Sequence, residues 1–181
     1  DKVFQAYVLN DTRIDIPVNI TISTLDFKGN KVKDDIEISE TILADSSAKV
    51  YELPIENPIS DSFIHVLMKY GETKTETTVF TSLQKKCDIE NPKISYDIEE
   101  IVDNPGSFKV TLTSENPAFY VALDQQAIPG IFSNNMFTLL PNQPKTVVFT
   151  PSPYGNKKTK TVKLGTFKKQ LKVTSLYESF N

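Results

Sequence analysis

The chain has 181 residues, 39% of them hydrophobic and 24% charged, with 11 Pro, 6 Gly, 7 Tyr, 11 Phe and no Trp, a globular profile long enough for one large or two small domains. An eight-stranded α/β barrel, at roughly 250 residues, does not fit within it. Its 20 basic and 23 acidic residues give a formal charge of −3 and a pI near 5.3, which argues against nucleic acid as a partner, because phosphate binding needs a net basic footprint.

The first residues, Asp1-Lys2-Val3-Phe4-Gln5, carry neither a start methionine nor a cleavable hydrophobic region and begin in mid-strand, as expected of a fragment cut from a longer protein. A strand is predicted from Phe4 to Leu9. From Ile14 to Ser23 every even position is aliphatic and every odd one polar or Pro, the pattern of a strand with one face on a core and one in water. The phase changes at Leu25 and Phe27, marking a bulge or strand end. Lys28-Gly29-Asn30 then supplies turn chemistry before a strand around Lys31 to Ile42. Further strands are predicted at Ala48 to Leu53, Phe63 to Tyr70 and Thr73 to Phe80, with a turn at Tyr70-Gly71-Glu72. The segment Cys87-Asp88-Ile89-Glu90-Asn91-Pro92 has no pattern, so domains are expected at 1–87 and 88–181. Beyond it, strands are predicted at Lys93 to Ile98, Phe108 to Ser114, Phe119 to Leu123, Thr146 to Phe149, Thr161 to Leu164 and Gln170 to Ser175, with turns at Asn104-Pro105-Gly106 and Pro153-Tyr154-Gly155-Asn156. In the paired runs, Phe108, Val110 and Leu112 share one face, and Phe119, Val121 and Leu123 repeat the scheme. No stretch holds a capped helical period; the nearest, Ile131 to Leu140, is short and closed by Pro141.

Two blocks of roughly 90 residues, each with about six to eight short strands, fit an all-β chain of two tandem immunoglobulin-like antiparallel β-sandwich domains. With no Cys–Trp–Cys core, an antibody-type domain is excluded.

Candidate chemistry is sparse. A nucleophile relay needs a base, and the one histidine, His65, alternates with Ile64 and Val66, so it reads as a sheet-face residue beside Phe63 and Leu67. The one cysteine, Cys87, allows no internal disulfide and leaves the compartment open; with His65 it cannot assemble a zinc site. Asp34-Asp35, Asp88 with Glu90, and Glu99-Glu100 with Asp103 lack the oxygen spacing of a calcium loop and read as solvated acidic turns. No glycine-rich phosphate cradle occurs. A pair of glycosidase carboxylates needs a cleft that small sandwiches rarely provide. No catalytic, cofactor-binding or metal-ligating residue is therefore assigned, and no cofactor is expected. Eight lysines and no acid lie between Lys145 and Lys172, read as a solvent face or a blunted sheet edge, with a basic docking patch as the alternative. Tyr120 and Tyr154 are the candidates for exposed rings that could stack on a glycan. Asn10-Asp11-Thr12 and Asn19-Ile20-Thr21 fit the glycosylation sequon, a pattern common by chance. The longest apolar runs, such as Phe119 to Leu123, fall far short of the roughly 18–20 residues that span a bilayer, so no membrane insertion is expected.

The run Phe132-Ser133-Asn134-Asn135-Met136-Phe137-Thr138-Leu139-Leu140-Pro141-Asn142-Gln143, followed by Thr146-Val147-Val148-Phe149, resembles the C-terminal immunoglobulin-like domain of β-mannosidases and related exo-acting enzymes of glycoside hydrolase family 2. Lys109 to Ser114 and Phe119 to Asp124 resemble the two strands that precede this motif, and Asp88 to Ile94 the interdomain joint. Tyr7-Val8-Leu9-Asn10-Asp11 and Leu25 to Asn30 resemble the preceding sandwich. Thr138 stands where the family often has Asp, and Asn142-Gln143 where it often has Gly-Glu, which puts the turn at that corner in question. The resemblance implies that Phe137, Leu139 and Leu140 plug a core, and that the catalytic glutamates lie in a barrel outside these residues. It implies a non-catalytic accessory fragment of a periplasmic or secreted exo-β-glycosidase, with the barrel and other parent domains as partners. The alternative is a cell-surface carbohydrate-binding or adhesion module.

Overall fold

The structure, a computed structural model, describes residues 2–55, 60–126, 128–152 and 163–180. The chain divides into two compact units, Asp1–Asp88 and Ile89–Asn181. Antiparallel strands account for almost all regular structure in both.

The first unit holds β1 (Lys2–Asn10), β2 (Ile16–Asp26), β3 (Ile36–Ile42), β4 (Ser46–Ile55), β5 (Ser62–Tyr70) and β6 (Thr73–Phe80). Four of them form a sheet in the order β3-β2-β5-β6, and β1 pairs with β4 in a sheet of two. The even-numbered aliphatics of β2 do what their period requires: Val18, Ile20 and Ile22 are buried with Phe4, Val8, Ile42 and Ile64 between the two layers. At Leu25 the buried side of β2 changes, yet the strand continues to Asp26 with unbroken pairing to β5, Leu25 opposite Phe63. Leu25 and Phe27 therefore bury on the other face of that sheet, where Phe27 lies 5.6 Å from Phe63 and 6.1 Å from Phe80, ring to ring. The bulge in this unit falls elsewhere, opposite Ala6 and Tyr7 of β1, where β4 carries the extra residue Val50. The Asp26 carboxylate accepts the backbone N–H groups of Lys28 and Asn30, and Gly29 takes a φ of 86°, which closes the expected turn. The strand predicted from Lys31 begins only at Ile36; Lys31 makes a single bridge to Leu25, and the polar run Lys33-Asp34-Asp35 has no apolar face to bury.

The second unit contains β7 (Ser95–Glu100), β8 (Phe108–Thr113), β9 (Ala118–Gln125), β10 (Gly130–Phe132), β11 (Phe137–Leu139), β12 (Lys145–Pro151), the helix α1 (Leu164–Gln170) and β13 (Leu171–Thr174). The sheets run β10-β12-β8-β7 and β11-β9-β13, with Phe108, Val110, Leu112, Val121, Leu123, Val147 and Phe149 in the core between them. Two expectations need correcting. Leu164, predicted to end a strand, opens α1. This helix has only seven residues, too few to display a helical period, and it is held by one fully buried side chain, Phe167, stacked 4.2 Å from Phe108 and 5.1 Å from Phe149. Lys168 and Lys169 in its last turn suit the negative end of the helix dipole. Phe119 does not share the face of Val121 either. Tyr120 takes a φ of 51° and the pairing with β11 slips there, so Ala118 joins Val121 and Leu123 in the core while Phe119 is buried outside that cluster. The turn predicted at Pro153 to Asn156, and Thr161 of the predicted strand, lie outside the described residues.

Candidate functional site: an open sheet surface

Each group singled out for chemistry sits among neighbours that define its role. His65 is 6% exposed on β5, its Nδ1 3.4 Å from the Thr78 hydroxyl and its Nε2 3.8 Å from a Glu76 carboxylate oxygen. It is a sheet-face histidine beside Phe63. Among the described residues no three His, Cys, Asp or Glu side chains converge as metal ligands would. Asp35 is paired at 2.6 Å with the Lys31 ammonium, which together with the Ser23 hydroxyl holds its carboxyl below the ordinary value against the opposing effect of burial. Partial burial pushes the Cys87 thiol up, away from the reactive thiolate. Glu99 pairs with Lys109 across β7 and β8 at 3.6 Å. Lys145 covers the Phe137 ring at 4.7 Å, and the Lys157, Lys158 and Lys160 part of the basic run lies outside the described residues, as does Tyr154.

Asn10, read from the sequence only as part of a sequon, is a structural clamp. It is 1% exposed; its Nδ2 donates toward the carbonyls of Ile14 (2.9 Å), Ile42 (3.0 Å) and Leu43 (3.0 Å), and its Oδ1 accepts the Thr12 N–H and hydroxyl. The amide that would carry a glycan is thus committed to the fold. Asn19 of the second sequon is exposed on β2, its Oδ1 accepting the Ser39 hydroxyl.

The motif from Phe132 to Gln143 turns out to be an edge-finishing device. Ser133 extends the β10–β12 ladder, its N–H donating to Val148 O and its Oγ accepting the Val148 N–H. Asn135 replaces a strand residue: its side chain accepts the Leu123 N–H and donates to the Leu123 carbonyl, both at 2.9 Å. Phe137 and Leu139 lie in the core, as the resemblance implied, while Leu140 is buried outside that cluster. Asn142, where the family often has Gly, takes a φ of 58° and Gln143 N–H closes on Leu140 O, so the turn forms with the residue other than Gly that best tolerates this conformation.

The first unit also presents an open surface. On the outer face of β1 and β4, Gln5 Nε2 donates to Glu52 Oε2 (2.7 Å), Lys49 pairs with the same oxygen (2.6 Å), and the Tyr7 hydroxyl donates to Gln5 Oε1 (3.3 Å). Lys49 and then Gln5 hold the Glu52 carboxyl below its ordinary value. Tyr7, at 52% exposure, and Leu9, at 66%, stand beside this chain of polar groups. Between the layers, a cleft of about 130 Å³ opens among Ala6, Tyr7 and Val8 of β1, Val66 and Met68 of β5, and Thr75 and Thr77 of β6.

The chain is similar in sequence pattern and in fold to known proteins. Residues 2–89 match the family model described as the mannosidase Ig/CBM-like domain, and residues 89–179 match that of the mannosidase Ig-fold domain. No curated protein sequence matches the chain. Among solved structures, a β-D-mannosidase from Dictyoglomus thermophilum aligns with 97% of this chain and 21% of its own, at 19% identity and a TM-score of 0.73. The exo-chitosanase CsxA from Amycolatopsis orientalis aligns with 94% of this chain and 24% of its own, at 12% identity and a TM-score of 0.64. These likenesses are of fold, and the chain spans between a fifth and a quarter of the length of either enzyme chain. With an Ig/CBM-like sandwich followed by an Ig-fold sandwich in unbroken succession, the chain belongs to the family of mannosidase Ig-fold domains.

Proposed function

We propose that residues 1–181 are the non-catalytic C-terminal accessory part of an exo-acting β-glycosidase of glycoside hydrolase family 2, with β-mannosidase as the parent activity. The observation that carries this reading is the succession of the two mannosidase-associated domains over nearly the whole chain. The structural likeness to a β-D-mannosidase, in which the matching region takes up 21% of the chain, supports it. On this reading the work of the two sandwiches is interfacial: their exposed sheet surfaces pack against the parent's catalytic barrel and other domains and hold the active-site rim in place. The parent acts in the periplasm or outside the cell. Assaying the parent enzyme on aryl β-mannosides, β-glucosaminides and β-galactosides tests the substrate. Preference for the mannoside is expected, whereas preference for the glucosaminide assigns the parent to the exo-chitosanase type and refutes the mannosidase reading.

A second reading, glycan binding by the fragment itself, is favoured by one observation: the exposed Tyr7 ring beside the linked Gln5, Glu52 and Lys49 side chains offers both a stacking face and hydroxyl-binding groups. Calorimetric titration with mannose-, glucosamine- and galactose-containing oligosaccharides separates the two readings. Saturable binding that disappears in Tyr7→Ala establishes the second, and its absence leaves the first.

A further inference from the structure

The first unit holds two glycosylation sequons, Asn10-Asp11-Thr12 and Asn19-Ile20-Thr21, and the fold uses their amides in opposite ways. N-glycosylation replaces one hydrogen on the side-chain nitrogen, leaves the side-chain oxygen as an acceptor, and needs open space around the new bond. Asn10 offers no such space. It is 1% exposed, and its Nδ2 is spent on the carbonyls of Ile14, Ile42 and Leu43, the bond to Ile42 being buried. The Thr12 hydroxyl, the other group the sequon requires, is held against Asn10 Oδ1 at 2.7 Å. A sugar on Asn10 would displace these carbonyls and prise the β1–β2 loop from the end of β3.

Asn19 has what Asn10 lacks. Val18 and Ile20 are buried on either side of it, so the period of the strand puts Asn19 on the opposite face of the sheet, where it is exposed. From the facing position on β3, the Ser39 hydroxyl donates to Asn19 Oδ1 at 2.8 Å. That bond uses the oxygen and therefore survives glycosylation. Nδ2 makes no hydrogen bond to any described residue. Thr21, two residues on along the same face, bonds through its hydroxyl to Glu37 and to no backbone group.

The surroundings of Asn19 point the same way independently. Its cross-strand neighbours are Ser39 and Lys69, Lys69 stands opposite Lys74, and Pro17 stands opposite Thr41. All five are exposed, and all but Pro17 are polar. Lys69 and Lys74 form a facing pair of like charges, an arrangement that water screens and a dry interface does not. A protein interface needs an apolar centre, and these residues supply none.

We infer that Asn19 carries an N-linked glycan in the exported parent protein and that Asn10 carries none. The transfer forms a bond between Asn19 Nδ2 and the anomeric carbon of an oligosaccharide carried on a polyprenyl diphosphate. The bond from that carbon to the diphosphate oxygen breaks, the lipid diphosphate leaves with the electron pair, and the amide proton passes to solvent. A chain modified at Asn10 cannot close its clamp and is lost from the folded population, whereas a chain modified at Asn19 folds with its hydrogen bonds intact. The glycan keeps the sheet face around Asn19 in water, so the docking surfaces of the proposed function lie elsewhere on the unit. The inference rests on that proposed function only for the export of the parent.

Peptide mapping of the parent protein, purified from the cells that make it, tests it. Cleavage after Arg13, the single arginine, puts the two sequons on separate peptides. Enzymatic release of N-glycans in heavy-oxygen water converts each glycosylated Asn to a labelled Asp. Label is expected in the peptide that holds Asn19 and not in the one that holds Asn10, and Asn19→Gln and Thr21→Ala are each expected to abolish it. An unlabelled Asn19 overturns the inference, as does label on Asn10 or label that survives Thr21→Ala. Glycosidase assay of the same preparation keeps the two readings apart: an active parent with a bare Asn19 refutes only the glycan, and a glycosylated parent inactive on every aryl glycoside refutes only the glycosidase.

Discussion

Replacing Asn10 should be the most damaging polar substitution in the first unit. Its amide joins three segments: it bonds back to the β1–β2 loop at Thr12 and Ile14, and across to the end of β3 at Ile42 and the following Leu43. In Asn10→Ala the carbonyl of the fully buried Ile42 loses its side-chain partner without access to water, while Ile14 and Leu43 are exposed enough for water to replace theirs. An unsatisfied buried acceptor costs about 1–3 kcal/mol and each lost ordinary hydrogen bond about 1, so a loss of about 2–4 kcal/mol is expected. For a domain of this size that lowers the midpoint by about 10–25 °C. Asn10→Asp should be worse at neutral pH, because it turns a carboxylate toward three carbonyl oxygens. Folding then raises the carboxyl pKa, so this penalty is full above the folded pKa and shrinks as pH falls through it. Thermal unfolding of the native chain and both variants, followed by signals from the first unit, checks the ordering. A cost below about 0.5 kcal/mol for Asn10→Ala, or an Asn10→Asp variant more stable than Asn10→Ala at pH 7, would refute the reasoning.

In the second unit, Phe167→Ala removes a fully buried ring wedged against Phe108 and Phe149, and a loss of about 3–5 kcal/mol confined to that unit is expected by denaturant titration. Asn142→Ala forces a Cβ-bearing residue without a compensating amide into the left-handed region and should cost about 1 kcal/mol, whereas Asn142→Gly should equal or exceed the native stability; the same titration distinguishes them. At the C-terminus, partial burial raises the Glu178 carboxyl, but the Ser175 hydroxyl and N–H, each donating at 2.6 Å, outweigh it and hold the pKa below its ordinary value. The stabilisation is therefore present above the unfolded-state pKa and is lost as pH falls through the lowered folded value. Acid loosening of residues 175–180, seen by amide exchange, should disappear in Glu178→Gln.

The strands were legible wherever one face meets a core, because the period-two pattern of β2 and β8 directly reflects which side chains are buried. Elements defined by something other than alternation were not. The helix α1 depends on one aromatic contact with Phe108 and Phe149, residues distant in sequence, and its seven residues show no period of their own. The bulge at Tyr120 changes the facing of Phe119 through a backbone angle, to which composition is blind. The phase change at Leu25 was visible, but whether it meant a bulge or a second buried face depended on Phe63 and Phe80, contributed by other strands. Asn10 and Asn135 act through backbone groups far along the chain, so their roles appear only once the fold is assembled. The open surface was the least legible feature: that Val3 to Asn10 lack charge can be read directly, whereas the position of β1 at the edge of its sheet among the described residues follows only from the pairing of the other strands.

The most direct test of the accessory role compares aryl β-mannoside hydrolysis by the 181-residue chain, by the full parent enzyme and by the parent lacking these residues. The account predicts no turnover by the chain alone, and a truncated parent that loses activity or inactivates faster on heating. Turnover by the isolated chain, or a truncated parent indistinguishable from the full enzyme in rate and thermal inactivation, would contradict it.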